Sequence, residues 1–161
     1  MQPPAVSIAP ESTDNRRYPG RPLVGAGALI FDRGKVLLVQ RGKAPLKGYW
    51  SLPGGMVELG ETLEDAVCRE VLEETSLVVK VDCLGELFER ILRDAAGKIE
   101  YHYVLADYVC RIAGGSLAAA GDAADARWVT IKDLDSVQLT SGTREVIERC
   151  YAKHKRRRAR V

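Results

Sequence analysis

The stretch Arg69-Glu-Val-Leu-Glu-Glu-Thr75 places Glu70, Glu73 and Glu74 within about one turn of a helix. At roughly 100° per residue the three carboxylates span an arc of about 100°. Like charges at this spacing repel by a few tenths of a kcal/mol per pair, so either water solvates them or a cation binds there. Val67, Cys68, Val71 and Leu72 cover the adjoining part of the wheel. The carboxylates therefore border the apolar stripe, close to the seam where a helix meets a sheet and solvation is poorer. Oxygen-only ligands suit Mg2+ or Mn2+ better than zinc. Glu61 lies one turn upstream, within reach of the same ion, and Arg69 can hold a carboxylate through paired hydrogen bonds. Taken alone, the same spacing also describes an ordinary wet helix face; the surroundings decide between the two.

Those surroundings read as three strands, a helix, three more strands and a closing helix. Residues 23–31 and 35–41 form two apolar runs joined by the turn Asp-Arg-Gly, a hairpin pattern. A short strand is expected at 49–53, then a tight path through Gly54 and Gly55. The helix is expected over 62–76, with Thr62 as its cap and Asp65 three residues on. Strands follow near 77–91, 98–110 and 126–131, and a closing helix over 141–154. This order predicts an α/β sandwich with a mixed sheet.

At 161 residues the chain fits one domain. No apolar run approaches the ~20 residues of a membrane span, and the first residues lack a secretory signal, so a cytoplasmic location is expected. Residues 1–21, rich in proline, read as a flexible arm, residues 22–152 as the folded domain, and 153–161 as a basic tail. That tail holds six Lys or Arg and no acid, leaving −4 on residues 1–152. It lacks an aromatic to stack on a base, so a nucleic-acid partner is not expected, although the tail leaves one open. Cys68, Cys83, Cys110 and Cys150 show no metal-ligand spacing and read as free apolar residues. Gly-Ala-Gly-Ala-Leu-Ile at 25–30 is not a dinucleotide fingerprint, because Ile30 replaces the third glycine and no helix follows.

From Gly55 to Leu77 the chain resembles the Nudix box, G-x5-E-x7-R-E-U-x-E-E-x-G-U, where U is aliphatic. Gly55, Glu61, Arg69, Glu70, Glu73 and Glu74 match its fixed places, and Val71 and Leu77 its aliphatic ones. At ordinary residue abundances such a match arises by accident on the order of once in a million chains of this length. Ser76 stands where the pattern has glycine; a left-handed serine there costs roughly 1 kcal/mol.

The resemblance implies a Nudix-like α/β/α sandwich. It also implies Mg2+- or Mn2+-dependent hydrolysis of the pyrophosphate bond in a nucleoside diphosphate linked to another group. By position, Glu70, Glu73 and Glu74 carry the metal, joined by Glu61 and the Gly55 carbonyl. Arg69 is counted with the catalytic set, and Glu70 is also a candidate base. Family members often take their base from a later loop, which points to Asp122, Asp125, Glu86 and Glu89. Arg41, Tyr49 and Trp50 are candidate substrate contacts, and Phe88, Tyr101 and Tyr103 further stacking candidates. ADP-ribose leads among the substrates. A MutT-type nucleoside triphosphatase and a non-catalytic nucleotide-binding regulator are the alternatives. The expected partner is a small nucleotide, with room for a homodimer.

Overall fold

The computed structural model describes residues 16–44 and 46–159. β1 (Leu23–Asp32) and β2 (Lys35–Arg41) form the expected hairpin. Its turn residues Arg33 and Gly34 both have positive φ, 45° and 79°, as a two-residue type I′ turn requires. β3 (Trp50–Ser51) pairs with β2, and β4 (Gly54–Met56) pairs antiparallel with the first half of β1. β5 (Leu77–Arg93) and β6 (Ile99–Gly115) make a long antiparallel hairpin with four register shifts. β7 (Ala123–Thr130) returns along β2. Among the described strands β1 pairs with β6 in parallel and the other pairs are antiparallel, so the seven-stranded sheet is mixed.

β1 is buried from Gly25 to Ile30, because a helix covers each side of the sheet. α1 (Leu63–Thr75) packs Ala66, Val67 and Val71 against Ala28, Ile30, Val79 and Tyr108. On the other face α2 (Thr143–Arg158) packs Val146, Ile147 and Cys150 against Leu29, Leu38, Val109 and Val129. Completely covering a residue such as Val67 or Ile147 contributes roughly 1.5–3 kcal/mol. The two aliphatic layers thereby fix an α/β/α sandwich, as the resemblance implies, around the mixed sheet that the element order predicts.

Three features differ from expectation. The double glycine is itself a strand, β4, because β1 offers it a pairing edge at Gly25–Gly27. The arm expected over 1–21 is tied down at its end: the Tyr18 N–H donates to the Glu100 carbonyl at 2.8 Å, and the Tyr18 hydroxyl to Asp94 Oδ2 at 2.9 Å. Residues 1–15 lie outside the described residues. The basic segment from Lys153 is helical through Arg158, since Tyr151 and His154 pack on Phe31 and cations in a last turn suit the helix dipole. No described helix is long and apolar enough to cross a membrane.

Candidate active site

The Thr62 Oγ1 accepts the Asp65 N–H at 3.1 Å and donates to Asp65 Oδ2 at 2.7 Å, which starts α1 where a cap is expected. At the other end Ser76 takes the left-handed conformation, φ 61° and ψ 14°, and its N–H closes on the Leu72 carbonyl. The Ser76 hydroxyl also donates to the Ala118 carbonyl at 3.3 Å. The residue that departs from the box thus keeps the box's backbone.

Between these caps Arg69 organises the acids. Its Nε and Nη2 donate to the two Glu61 oxygens at 2.7 and 2.9 Å. Nη1 donates to Glu70 Oε1 at 2.8 Å and Glu73 Oε2 at 3.4 Å, and Nη2 also reaches the Met56 carbonyl at 3.1 Å. One planar guanidinium therefore joins the loop before α1, β4 and the helix itself. The Arg69 hydrogen bonds, helped by the Glu58 N–H, hold Glu61 down at about 2. The same carboxylates push Arg69 above its ordinary value.

The three helix glutamates differ in burial. Glu73 is half open, with its side chain 55% exposed, whereas Glu70 is 16% exposed. Glu74 is mostly buried and accepts the Gly54 N–H at 3.0 Å. Burial raises Glu74 to about 7; the Gly54 hydrogen bond and Arg41 oppose the rise, and Glu70 and Asp122 add to it. The double glycine is explained at both positions. A β-carbon on Gly55 would land on the Glu70 carboxylate, and one on Gly54, where φ is 156°, would strike the β1 backbone at Ala26.

Arg41 at the end of β2 sits close enough to lower Glu74. Tyr49 is half-buried beside it, its carbonyl accepting the Arg41 N–H at 2.8 Å. Trp50 is 4% exposed, packed in the α2-side core, with the Arg127 guanidinium 4.2 Å above its ring. The acids outside the box separate. Asp122, paired with Lys43, acts on Glu74. Asp125 turns to Arg127 at 3.0 Å. Glu86 is held bidentately by Arg149 at 3.1 and 2.6 Å, toward α2 and away from α1. Glu89 is exposed on β5. Tyr101 and Tyr103 stack at 6.0 Å, 13° from parallel, and Phe88 joins the α2-side core.

Sequence reasoning missed Gly54 as a hydrogen-bond donor and Asp107 altogether. Asp107 is 7% exposed on β6, on the side chain's face behind Gly27, where any β-carbon would collide with it. Burial and Glu86 raise it to about 7, against Arg90. Gly27 in an otherwise buried strand was the available signal.

The donor set is one that a hard divalent cation requires: carboxylate oxygens at α1 and backbone oxygens at β4, without sulfur or imidazole. In this structure Arg69 engages Glu61, Glu70 and Glu73, and among the described residues no three acidic, histidine or cysteine side chains already converge on one point. Glu70 and Glu74 nevertheless lie close, in a poorly solvated place, with Arg69 bonded to Glu70 and Arg41 acting on Glu74. The residues fit a divalent ion by their chemistry.

The NUDIX domain profile matches residues 21–150. The chain belongs to the NUDIX family. It is 38% identical over 113 residues to the ADP-ribose pyrophosphatase of Methanocaldococcus jannaschii, covering 70% of this chain and 64% of that protein. This NUDIX domain thus spans less than two thirds of that relative's length. The solved MutT NUDIX hydrolase of Burkholderia pseudomallei superposes with a TM-score of 0.70 at 34% identity, over 80% of this chain and 98% of that one. The NUDIX domain of Shewanella oneidensis NrtR, crystallised with ADP-ribose, superposes at 0.65 with 26% identity, over 83% and 88%.

Proposed function

We propose that this NUDIX domain hydrolyses the pyrophosphate linkage of a nucleoside diphosphate derivative, with Mg2+ or Mn2+ as cofactor and ADP-ribose as its leading substrate. The observation that carries this reading is the acidic cluster that Arg69 ties to β4, with Glu74 buried on the Gly54 N–H. Glu70, Glu73 and Glu74 hold the ion, with Glu61 and the Gly55 carbonyl completing its surroundings. A bound divalent ion neutralises charge on the phosphates and eases deprotonation of a water. Arg69 keeps Glu61 ionised and aims Glu70 and Glu73. Arg41 stands at the edge of the cluster, where a substrate phosphate needs a cation. Among the acids outside the box we take Asp122 as the candidate base: its charge acts on Glu74, and its ion pair with Lys43 is exposed, whereas Arg149 holds Glu86 bidentately on the α2 side. The M. jannaschii relative supports ADP-ribose as substrate.

The B. pseudomallei similarity favours a second reading, a MutT-type nucleoside triphosphatase. A regulator that only binds nucleotide is disfavoured, since all four box glutamates are present. A panel of ADP-ribose, nucleoside triphosphates, NADH and dinucleoside polyphosphates decides, assayed in chelator and after Mg2+ or Mn2+ is restored. Turnover of ADP-ribose first, and only with metal, is the expected result. A preference above tenfold for a triphosphate moves the assignment to the MutT type, and full activity in chelator overturns the metal-dependent reading.

A further inference from the structure

The opposite face of the sheet carries a second constellation. α2 ends in Lys153, His154, Lys155, Arg156, Arg157 and Arg158. Five full cations in six residues exceed what a helix C-terminus needs, and pairs such as Lys153 with Arg157 repel at i, i+4. Among the described residues no carboxylate pairs with any of them within 4 Å, nor with Arg33 or Lys35 across the β1–β2 turn. The acid that acts on His154, Asp82, is engaged by Arg111 at 2.9 Å, and Arg157 points at the Cys83 sulfur instead, at 3.0 Å.

Tyr151, His154, Lys155 and Arg158 recur at i, i+3, i+4 and i+7 and so share one helical face. That face meets Phe31, Arg33 and Gly34 around a cavity of about 210 Å³. Phe31 lies 5.3 Å from the Tyr151 ring and 5.4 Å from the His154 ring. Gly34 leaves open the space beside the Tyr151 hydroxyl. Burial, then Arg158 and Arg157, hold His154 below its ordinary value, so near neutral pH its ring presents an uncharged flat face. The three rings are partly exposed and the cations around them exposed.

We propose that this face is a second binding site, for a single-stranded polynucleotide: phosphates along the Arg33, Lys155 and Arg158 rim, and a base against the Phe31, Tyr151 and His154 rings. Cations that follow a backbone beside aromatic faces are the two parts of sequence-tolerant single-strand binding. Insertion into an anionic bilayer draws on exposed aliphatic residues, and none of the exposed large hydrophobic residues lies on α2, whereas the aromatic rings suit a base. Phe31 is four residues further along β1 than Gly27, the partner of Gly54, or ~13 Å at strand spacing. The carboxylates belong to the α1 face, so the strand held at α2 is not held by the catalytic cluster.

The experiment is fluorescence anisotropy of labelled twelve-residue oligo(U) and oligo(dT) with the full chain. It is run in chelator, so that no metal bridges the strand to the glutamates, and over a salt series. Saturable binding of either strand is expected, and the pair shows whether the sugar matters. The triple variant Arg33→Gln, Lys155→Gln, Arg158→Gln should bind more than tenfold more weakly, with a log–log salt slope shallower by about 2. Tyr151→Leu, which keeps apolar packing on Phe31, should weaken binding by about tenfold. Circular dichroism on each variant identifies any that unfolds, and the single variant Arg158→Gln then replaces it. Unchanged affinity in the charge variant overturns the proposal, as does equal competition by inorganic polyphosphate. So does binding confined to phosphatidylserine vesicles, or the absence of binding to either strand at low salt.

Discussion

The two helices that flank the sheet handle crowded charge in opposite ways. On α1 three glutamates sit within one turn, and the fold supplies its own organiser: Arg69 contacts Glu61, Glu70, Glu73 and the Met56 carbonyl. On α2 the cations from Lys153 to Arg158 have no carboxylate partner among the described residues. The acid cluster is half-buried against β4, whereas the basic ridge is exposed. Desolvation explains the difference. Charge at a helix–sheet seam must be compensated inside the protein or by a bound ion, while charge on an open face is solvated and remains available to a partner.

The sharpest way to break that contrast is to neutralise α1. Glu73→Gln or Glu74→Gln keeps size and hydrogen-bonding capacity but removes charge. The helix should survive, since repulsion falls, and turnover should drop by several orders of magnitude, each 1.36 kcal/mol being tenfold. Glu64, exposed on the same helix, is the control: Glu64→Gln should leave turnover within a small factor. Circular dichroism and a metal titration on the same samples separate lost chemistry from lost structure.

A smaller effect is expected from the organiser. Arg69→Lys retains the charge but not the planar fork that serves Glu61, Glu70 and Met56 together. Turnover should fall roughly 10–100-fold, the usual loss when a residue that orients ligands is changed. Retained full turnover would show that charge alone, without the fork's geometry, suffices at this site.

Asp107 tests the α2 side of the sheet by pH. Glu86 and Arg90 on β5 face it, with Arg149 and Cys150 of α2 packed beyond. Its folded value, about 7, lies above its ordinary 3.8, so the folded state holds the proton more tightly. The stabilisation is complete below about pH 4 and is lost as pH rises through about 7. Asp107→Asn should therefore gain on the unchanged protein between pH 5 and pH 8, by a few degrees in melting temperature. Parallel melting curves for the two proteins over that range would contradict the assignment.

The smallest effect belongs to Ser76. Ser76→Gly relieves a left-handed serine, roughly 1 kcal/mol, less the hydroxyl's bond to Ala118. The melting temperature should rise by about 2–4 °C at most, with turnover unchanged.

Much of the α1 side was legible because its information is local. A threonine three residues before an aspartate caps a helix, an alternation of period 3.6 marks its buried face, and a left-handed exit follows from the box's glycine place even when serine fills it. The β1–β2 hairpin is equally local, through Arg33 and Gly34. Substrate contacts were less legible: Trp50 could be named as an aromatic near the box, but only packing put it in the core beneath Arg127.

What the amino-acid order determined by itself was the chemistry available: an arginine and three glutamates at fixed spacing on a helix with both ends specified, and a fourth, Glu61, in the loop before it. The tertiary structure decided which of those charges meet water. Glu73 and Glu74 are neighbours in the chain, yet β4 covers Glu74 and leaves Glu73 half open, because burial depends on a strand twenty residues away. It also decided that Phe31, Tyr151 and His154 come together beside the basic helix end. Periodicity assigns residues to faces, but only the pairing of β1 with β2 and the seating of α2 bring distant faces into contact.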